Sequence, residues 1–326
     1  MLSTQAGMRQ LATLGGGGII LHGTYHRTSS LSTTGTGAAS QTLGMMFTNA
    51  LSSPRSLVGD SGAYWADSFA ALGYPCFRFD LPGLGDSYGE IPNELLRFTN
   101  DGGYAGVASS KARELVESYG LSGVVVFGHC AGATTAIYAA STLPECKGLV
   151  LLDPYFNLPK ALTVTLRPGL VLWARRTRIG AILRGTYDQV REVPYALRRG
   201  ALPANANLCL IKRLKEVISR GTPVLIVKGH EASLGGGTGK GGAFDYFGYI
   251  RSFAVRSNQF SIKTIDDTDH SFSNHAGQLA VRQYTETWLN EHFPLAVAPA
   301  ESRPPHQSEG QLTPDIASLA NFSSGG

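Results

Sequence analysis

The stretch Val124-Val125-Val126-Phe127-Gly128-His129-Cys130-Ala131-Gly132-Ala133 decides how this chain is read. A β-branched run is the composition of a buried strand, and the alanine-rich sequence from Ala131 onward is that of a helix. Between them stands small-x-Cys-x-small, so strand passes to helix through a turn too sharp for large neighbours. Such a turn pushes its central side chain out of the backbone at the top of a sheet. Cys130 is that residue. At a helix N-terminus, free N–H groups and the helix dipole favour a thiolate, and one N–H is available to an oxyanion. The competing reading is a packed core thiol, since free cysteine is among the most buried residue types.

Strand and helix signals alternate on both sides of this turn. Residues 44–47, 76–80, 123–127, 148–153, 223–228 and 259–265 read as strands, and residues 64–72, 104–119, 131–141 and 279–292 as helices. Continuous apolar strands separated by helices predict an α/β architecture, a mostly parallel central sheet with helices on both faces. A chain of 326 residues, 43% of them hydrophobic, can bury one such core with an insertion. The core is expected at residues 44–154 and 222–294. Residues 1–43 read as an N-terminal edge strand around Leu21-His22-Gly23 and a flexible Ser/Thr/Gly-rich linker. Residues 295–326 read as a disordered tail rich in Pro, Ser and Gly.

The remaining stretch, residues 155–221, interrupts the alternation and reads as a helical cap inserted over the C-terminal edge of the sheet. From residue 160 to 220 it holds thirteen Lys or Arg against three Asp or Glu, a net +10. The whole chain is only +4, so the rest carries −6. A pI of about 8.8 is too mild to argue for nucleic acid.

Cys76, Cys130, Cys146 and Cys209 are scattered, with neither metal-ligand spacing nor a disulfide framework. No secretory leader pattern and no long apolar run is legible, so the expected compartment is the cytoplasm, with no membrane span. Two Gly-rich stretches resemble nucleotide loops and fail the test. In residues 234–241, Leu234 stands where a phosphate loop needs its first glycine, and Gly241 stands where it needs Ser or Thr. In residues 83–89 the third glycine of a dinucleotide fingerprint comes one residue late. Neither a cofactor nor a metal is expected.

Four pieces, GHCAG at residues 128–132, FRFDLPGLGDS at 77–87, KGHE at 228–231 and DTDHSF at 267–272, resemble the α/β-hydrolase superfamily in order and spacing. The resemblance covers residues 44–153 and 222–293. The cysteine elbow departs from the common serine form and is similar to that of dienelactone hydrolases and polyester synthases. The FDLPGLGDS stretch with a following basic cap looks more like hydrolases encoded alongside exosortase systems.

The resemblance implies a triad in the order nucleophile, acid, histidine, and Cys130, Glu231 and His270 fall in that order. Asp153, at the end of the preceding strand, is the alternative acid. Asp80 and Asp86 read as structural, fixing the turn after the strand at 76–80. The oxyanion hole is expected from the Ala131 N–H with a backbone N–H of Asn49 or Ala50. The chemistry implied is acyl transfer: His270 draws off the thiol proton, Cys130 attacks a carbonyl, and the acyl group passes to water or another acceptor. That makes the chain an ester or thioester hydrolase, or an acyltransferase. The reading from a different class is a non-catalytic binding module on the same fold. Charge alone suggests that Arg175, Arg176 and Arg178 hold a substrate carried on an anionic handle, such as coenzyme A or an acyl carrier protein.

Overall fold

The computed structural model of the chain describes residues 9–15, 18–28, 42–51, 53–158, 202–203, 205–229, 244–254 and 259–295. Eight strands form one sheet: β1 Arg9–Leu14, β2 Leu21–His26, β3 Leu43–Thr48, β4 Cys76–Phe79, β5 Gly123–His129, β6 Cys146–Leu152, β7 Val224–Gly229 and β8 Phe260–Ile265. Their order is β1-β2-β4-β3-β5-β6-β7-β8. Every pair from β4 to β8 is parallel, while β2 is antiparallel to both β1 and β4. The helices are α1 Ser61–Leu72, α2 Leu95–Asn100, α3 Ala105–Tyr119, α4 Ala131–Thr142, α5 Leu208–Ser219, α6 Tyr246–Ala254 and α7 His275–His292.

Successive side chains of a strand point to opposite faces, and in β5 that splits the core in two. Val124 and Val126 pack with residues of α3, α4 and α5, whereas Val125 and Phe127 pack with Trp65 and Phe69 of α1 and with Val281 and Trp288 of α7. Both faces are therefore dry, which is why the central strands are apolar without alternation. The Trp65 indole N–H donates to the Gln278 carbonyl at 2.9 Å and so ties α1 to α7.

The structure departs from the expectations at the N-terminus. The Leu21-His22-Gly23 strand is not the edge: β1 pairs outside it. β1 escapes a pattern reading because only Ala12 and Leu14 of its six residues are buried, and Leu11 is 90% exposed. Gly23 suits the inner position, because a Cβ there would run into the Arg78 carbonyl and the Phe79 ring.

The expected cap boundary at 221 also moves. Of residues 155–221, α5 is a core helix between β6 and β7, with Leu210, Leu214 and Val217 buried and Lys212, Arg213 and Lys215 exposed. Its outward charges made it look like part of a basic insertion. Asn207 caps it by accepting the Leu210 N–H at 3.1 Å. Just before it the chain is pinched. Asn157 and Ala206 form an antiparallel bridge, the Leu158 N–H donates to the Asn205 carbonyl at 2.6 Å, and the Asn207 N–H donates to that of Phe156 at 2.8 Å. The linker at 29–41 and the tail from 296 lie outside the described residues. Among the described residues no helix is long and apolar enough to cross a membrane.

Candidate active site

From β3 the chain moves outward to β4 and then returns to β5 on the other side of β3, so the strand order reverses there. A sheet with such a reversal opens a crevice beyond the C-terminal ends of the two strands. Thr48-Asn49-Ala50 ends β3, and His129-Cys130-Ala131 ends β5.

Cys130 has φ 55° and ψ −119°, a region that costs a non-glycine residue roughly 1–3 kcal/mol. Its surroundings hold it there. The Cys130 N–H donates to the Leu152 carbonyl at 2.9 Å, and the Cys130 carbonyl accepts from the Ala133 N–H at 3.0 Å. A Cβ on Gly128 would lie 2.5 Å from the Gly132 carbonyl oxygen, and one on Gly132 would lie 2.5 Å from the Asn49 carbonyl oxygen. The two glycines are thus required by the closeness of the turn and by its contact with the end of β3. The Thr48 hydroxyl donates across that contact to the Gly132 carbonyl at 2.9 Å.

Asn49 contributes its side chain as well as its backbone. Its Oδ1 accepts the Leu81 N–H at 2.8 Å, and its Nδ2 donates to Asp80 Oδ1 at 2.9 Å. Asp80, fully buried, also accepts the Arg55 N–H at 2.7 Å and pairs with the Arg55 guanidinium, which reaches Asp86 at 2.7 Å. The FDLPGLGDS stretch therefore anchors the loop after β3.

His270 lies on the loop that follows β8. Asp269 shapes that loop by accepting from the Ser271 hydroxyl at 2.9 Å and the Ser273 N–H at 3.3 Å, and Phe272 is buried beneath it. His270 Nδ1 is 2.7 Å from Asp153 Oδ2, and Cys130 lies close enough to the ring to act on its pKa. Burial alone would lower its pKa. The bond to Asp153, together with the nearness of Cys130 and the charge of both groups, outweighs burial and raises it to about 9. Asp153 is 2% exposed, and its N–H donates to the Val227 carbonyl at 2.8 Å, which fixes the carboxylate at the β6 end beside β7.

The carboxylate on His270 is thus Asp153, the second choice of the sequence reading; Glu231, the first choice, lies outside the described residues, as do Arg175, Arg176 and Arg178. Cys130, His270 and Asp153 are brought together, with Ala131 at the first position of α4 and Asn49 and Ala50 buried at the end of β3. His275, which opens α7, is exposed.

Two residues were missed. His129 Nε2 donates to the His270 carbonyl at 2.8 Å, so the residue before Cys130 holds the loop that carries His270. Burial pushes the pKa of His129 down to about 4, and it works as a neutral ring. The Tyr155 ring lies 4.7 Å from the His270 ring, centroid to centroid. Both are sequence neighbours of expected site residues, and that adjacency was the available signal.

A family model described as alpha/beta hydrolase fold matches residues 56–191. The chain is similar to DcsB, solved in complex with its substrate analogue, at 16% identity over 87% of this chain and 99% of that one, with a TM-score of 0.58. It is similar to the Pyrococcus furiosus esterase Pf2001 at 14% identity over 87% and 91%, with a TM-score of 0.54. It is also similar to TT1662 from Thermus thermophilus at 14% identity over 86% and 98%, with a TM-score of 0.52. No curated protein matches the chain.

Proposed function

We propose that this chain, which has the α/β-hydrolase fold, cleaves an ester or thioester through a covalent acyl-Cys130 intermediate, with His270 as base and Asp153 as orienting acid. One observation carries the reading: a thiol on a strained strand-to-helix turn lies beside an imidazole whose Nδ1 is 2.7 Å from a buried carboxylate. That is the constellation of nucleophile, base and orienting acid.

His270, held through Nδ1 by Asp153, takes the proton of the Cys130 thiol. The thiolate attacks the acyl carbonyl, and the negative oxygen that develops is met by the Ala131 N–H and a backbone N–H of the Asn49-Ala50 segment. His270 then protonates the leaving group and afterwards takes a proton from the incoming water. Asp153 keeps the Nδ1 proton in place and balances the imidazolium charge.

The test is acylation of the protein by an activated ester, followed by mass and by turnover. Wild type gains one acyl group on Cys130 and turns over. Cys130→Ala gains none and loses turnover while keeping its melting temperature, and Cys130→Ser keeps the geometry but little of the rate, because a hydroxyl ionises far less readily than a thiol. Undiminished turnover by Cys130→Ala under saturating substrate overturns the nucleophile assignment.

A further inference from the structure

Tyr155 has no part in the acyl-transfer scheme above, yet it is fixed in the site from both sides. Before it stands buried Asp153; after it Phe156 is 1% exposed and packs on Tyr246 and Phe247, and Asn157 makes the bridge to Ala206. Its ring leans on His270 at 31°. A tyrosine hydroxyl in a half-buried place ordinarily has a partner. Among the described residues that of Tyr155 has no hydrogen-bond partner, although Cys130 and Asp153 lie near enough to act on it. Burial first, then those charges, hold the phenol above its ordinary pKa, so it keeps its proton and remains a donor.

The sheet order gives this donor a direction. β3, with the oxyanion groups, flanks β5 on one side, and β6, which leads to Asp153 and Tyr155, flanks it on the other. An acyl carbonyl over Cys130 with its oxygen toward β3 has both its acyl chain and its leaving group on the side away from β3, toward His270 and β6.

We propose that Tyr155 touches the substrate and donates a hydrogen bond to the leaving oxygen of an ester, which makes oxygen esters with reluctant alcohol leaving groups, rather than thioesters, the substrate class of this site. The proposal rests on Cys130 being the nucleophile. In the step concerned the bond from Cys130 Sγ to the acyl carbon forms and the carbon–oxygen bond breaks. The bonding pair goes to the leaving oxygen, and the imidazolium proton facing Cys130 follows it. Tyr155 stabilises the charge on that oxygen and keeps its own proton throughout. Sulfur is a weak acceptor, so a thioester gains little from the same hydroxyl.

The experiment compares wild type with Tyr155→Phe on three substrates sharing one acyl group: an ethyl ester, a para-nitrophenyl ester and an alkyl thioester. The phenylalanine keeps the ring on His270 and removes only the donor. The expected result is a loss of about tenfold in kcat/KM on the ethyl ester and less than about twofold on the other two, with the rate of Cys130 alkylation by iodoacetamide unchanged. Equal losses on all three, no loss on the ethyl ester, a wild type that takes only the thioester, or slowed alkylation each overturn it. Failure of the nucleophile reading is seen separately, as turnover retained by Cys130→Ala.

Discussion

His270 is held between two groups that both favour its charged form, and each can be removed alone. Asp153→Asn deletes the partner on Nδ1 and Cys130→Ala the thiol beside the ring, so both variants should bring the imidazole pKa down from about 9 toward 6.5, as ring-proton NMR titration would register. A pKa that stays near 9 in both variants refutes this account of the pair. Turnover by Asp153→Asn should fall by orders of magnitude, as when other triads lose the charge that balances the imidazolium. The choice between Glu231 and Asp153 was not legible in the sequence, because each follows an apolar strand of the same sheet edge. What decides it is where the loop after β8 brings His270, and no local pattern encodes that reach. Cys130 was legible for the opposite reason: its turn dictates small residues on either side.

At the scale of elements, the turn after β5 and the end of β3 act as one piece. Gly132 lets them touch, and the Thr48 hydroxyl bonds across the contact. In Gly132→Ala the new methyl meets the Thr48 and Asn49 carbonyls and must push β3 and its N–H groups away from Cys130. We expect kcat to fall about a hundredfold, in the range of a lost oxyanion donor, with KM little changed. A variant with wild-type kcat would show that the end of β3 takes no part. Asn49→Ala should cost about 1–3 kcal/mol in denaturant unfolding, since it strands the buried Leu81 N–H and part of Asp80. The strand alternation was readable because each core strand is apolar throughout. β1 was not, because an edge strand with one buried face and an outward leucine carries little pattern, and α5 was hidden by its own exposed charges.

At the scale of the whole molecule, three histidines among the described residues act on the pH range of stability from opposite sides. His129 and His26 are buried, and burial is the main reason their pKa values fall below 6.5. His26 sits between Asp67 at 2.7 Å and the Arg78 Nε donor at 2.8 Å, linking β2 and β4 to α1. Their contribution is complete above about pH 6.5 and is lost as pH falls, for His129 through about 4. The raised pKa of His270 works the other way: its contribution is complete below 6.5 and is lost as pH rises through about 9. Stability should therefore peak near neutrality. Melting scans across pH should show a shallower acid limb in His129→Gln and a shallower alkaline limb in Asp153→Asn; unchanged limbs in these variants would count against both assignments.

The bridge between Asn157 and Ala206 has a consequence for how such a chain can be re-engineered. Residues 158 and 205 leave and rejoin the core side by side, so whatever sequence connects them has to span almost no distance. Closing a longer or shorter connection there changes the entropy only slowly, by about 0.6 kcal/mol per doubling of length. The pair is a natural splice point, where a connection of another length should be accepted with the melting temperature within a few degrees and Cys130 alkylation intact.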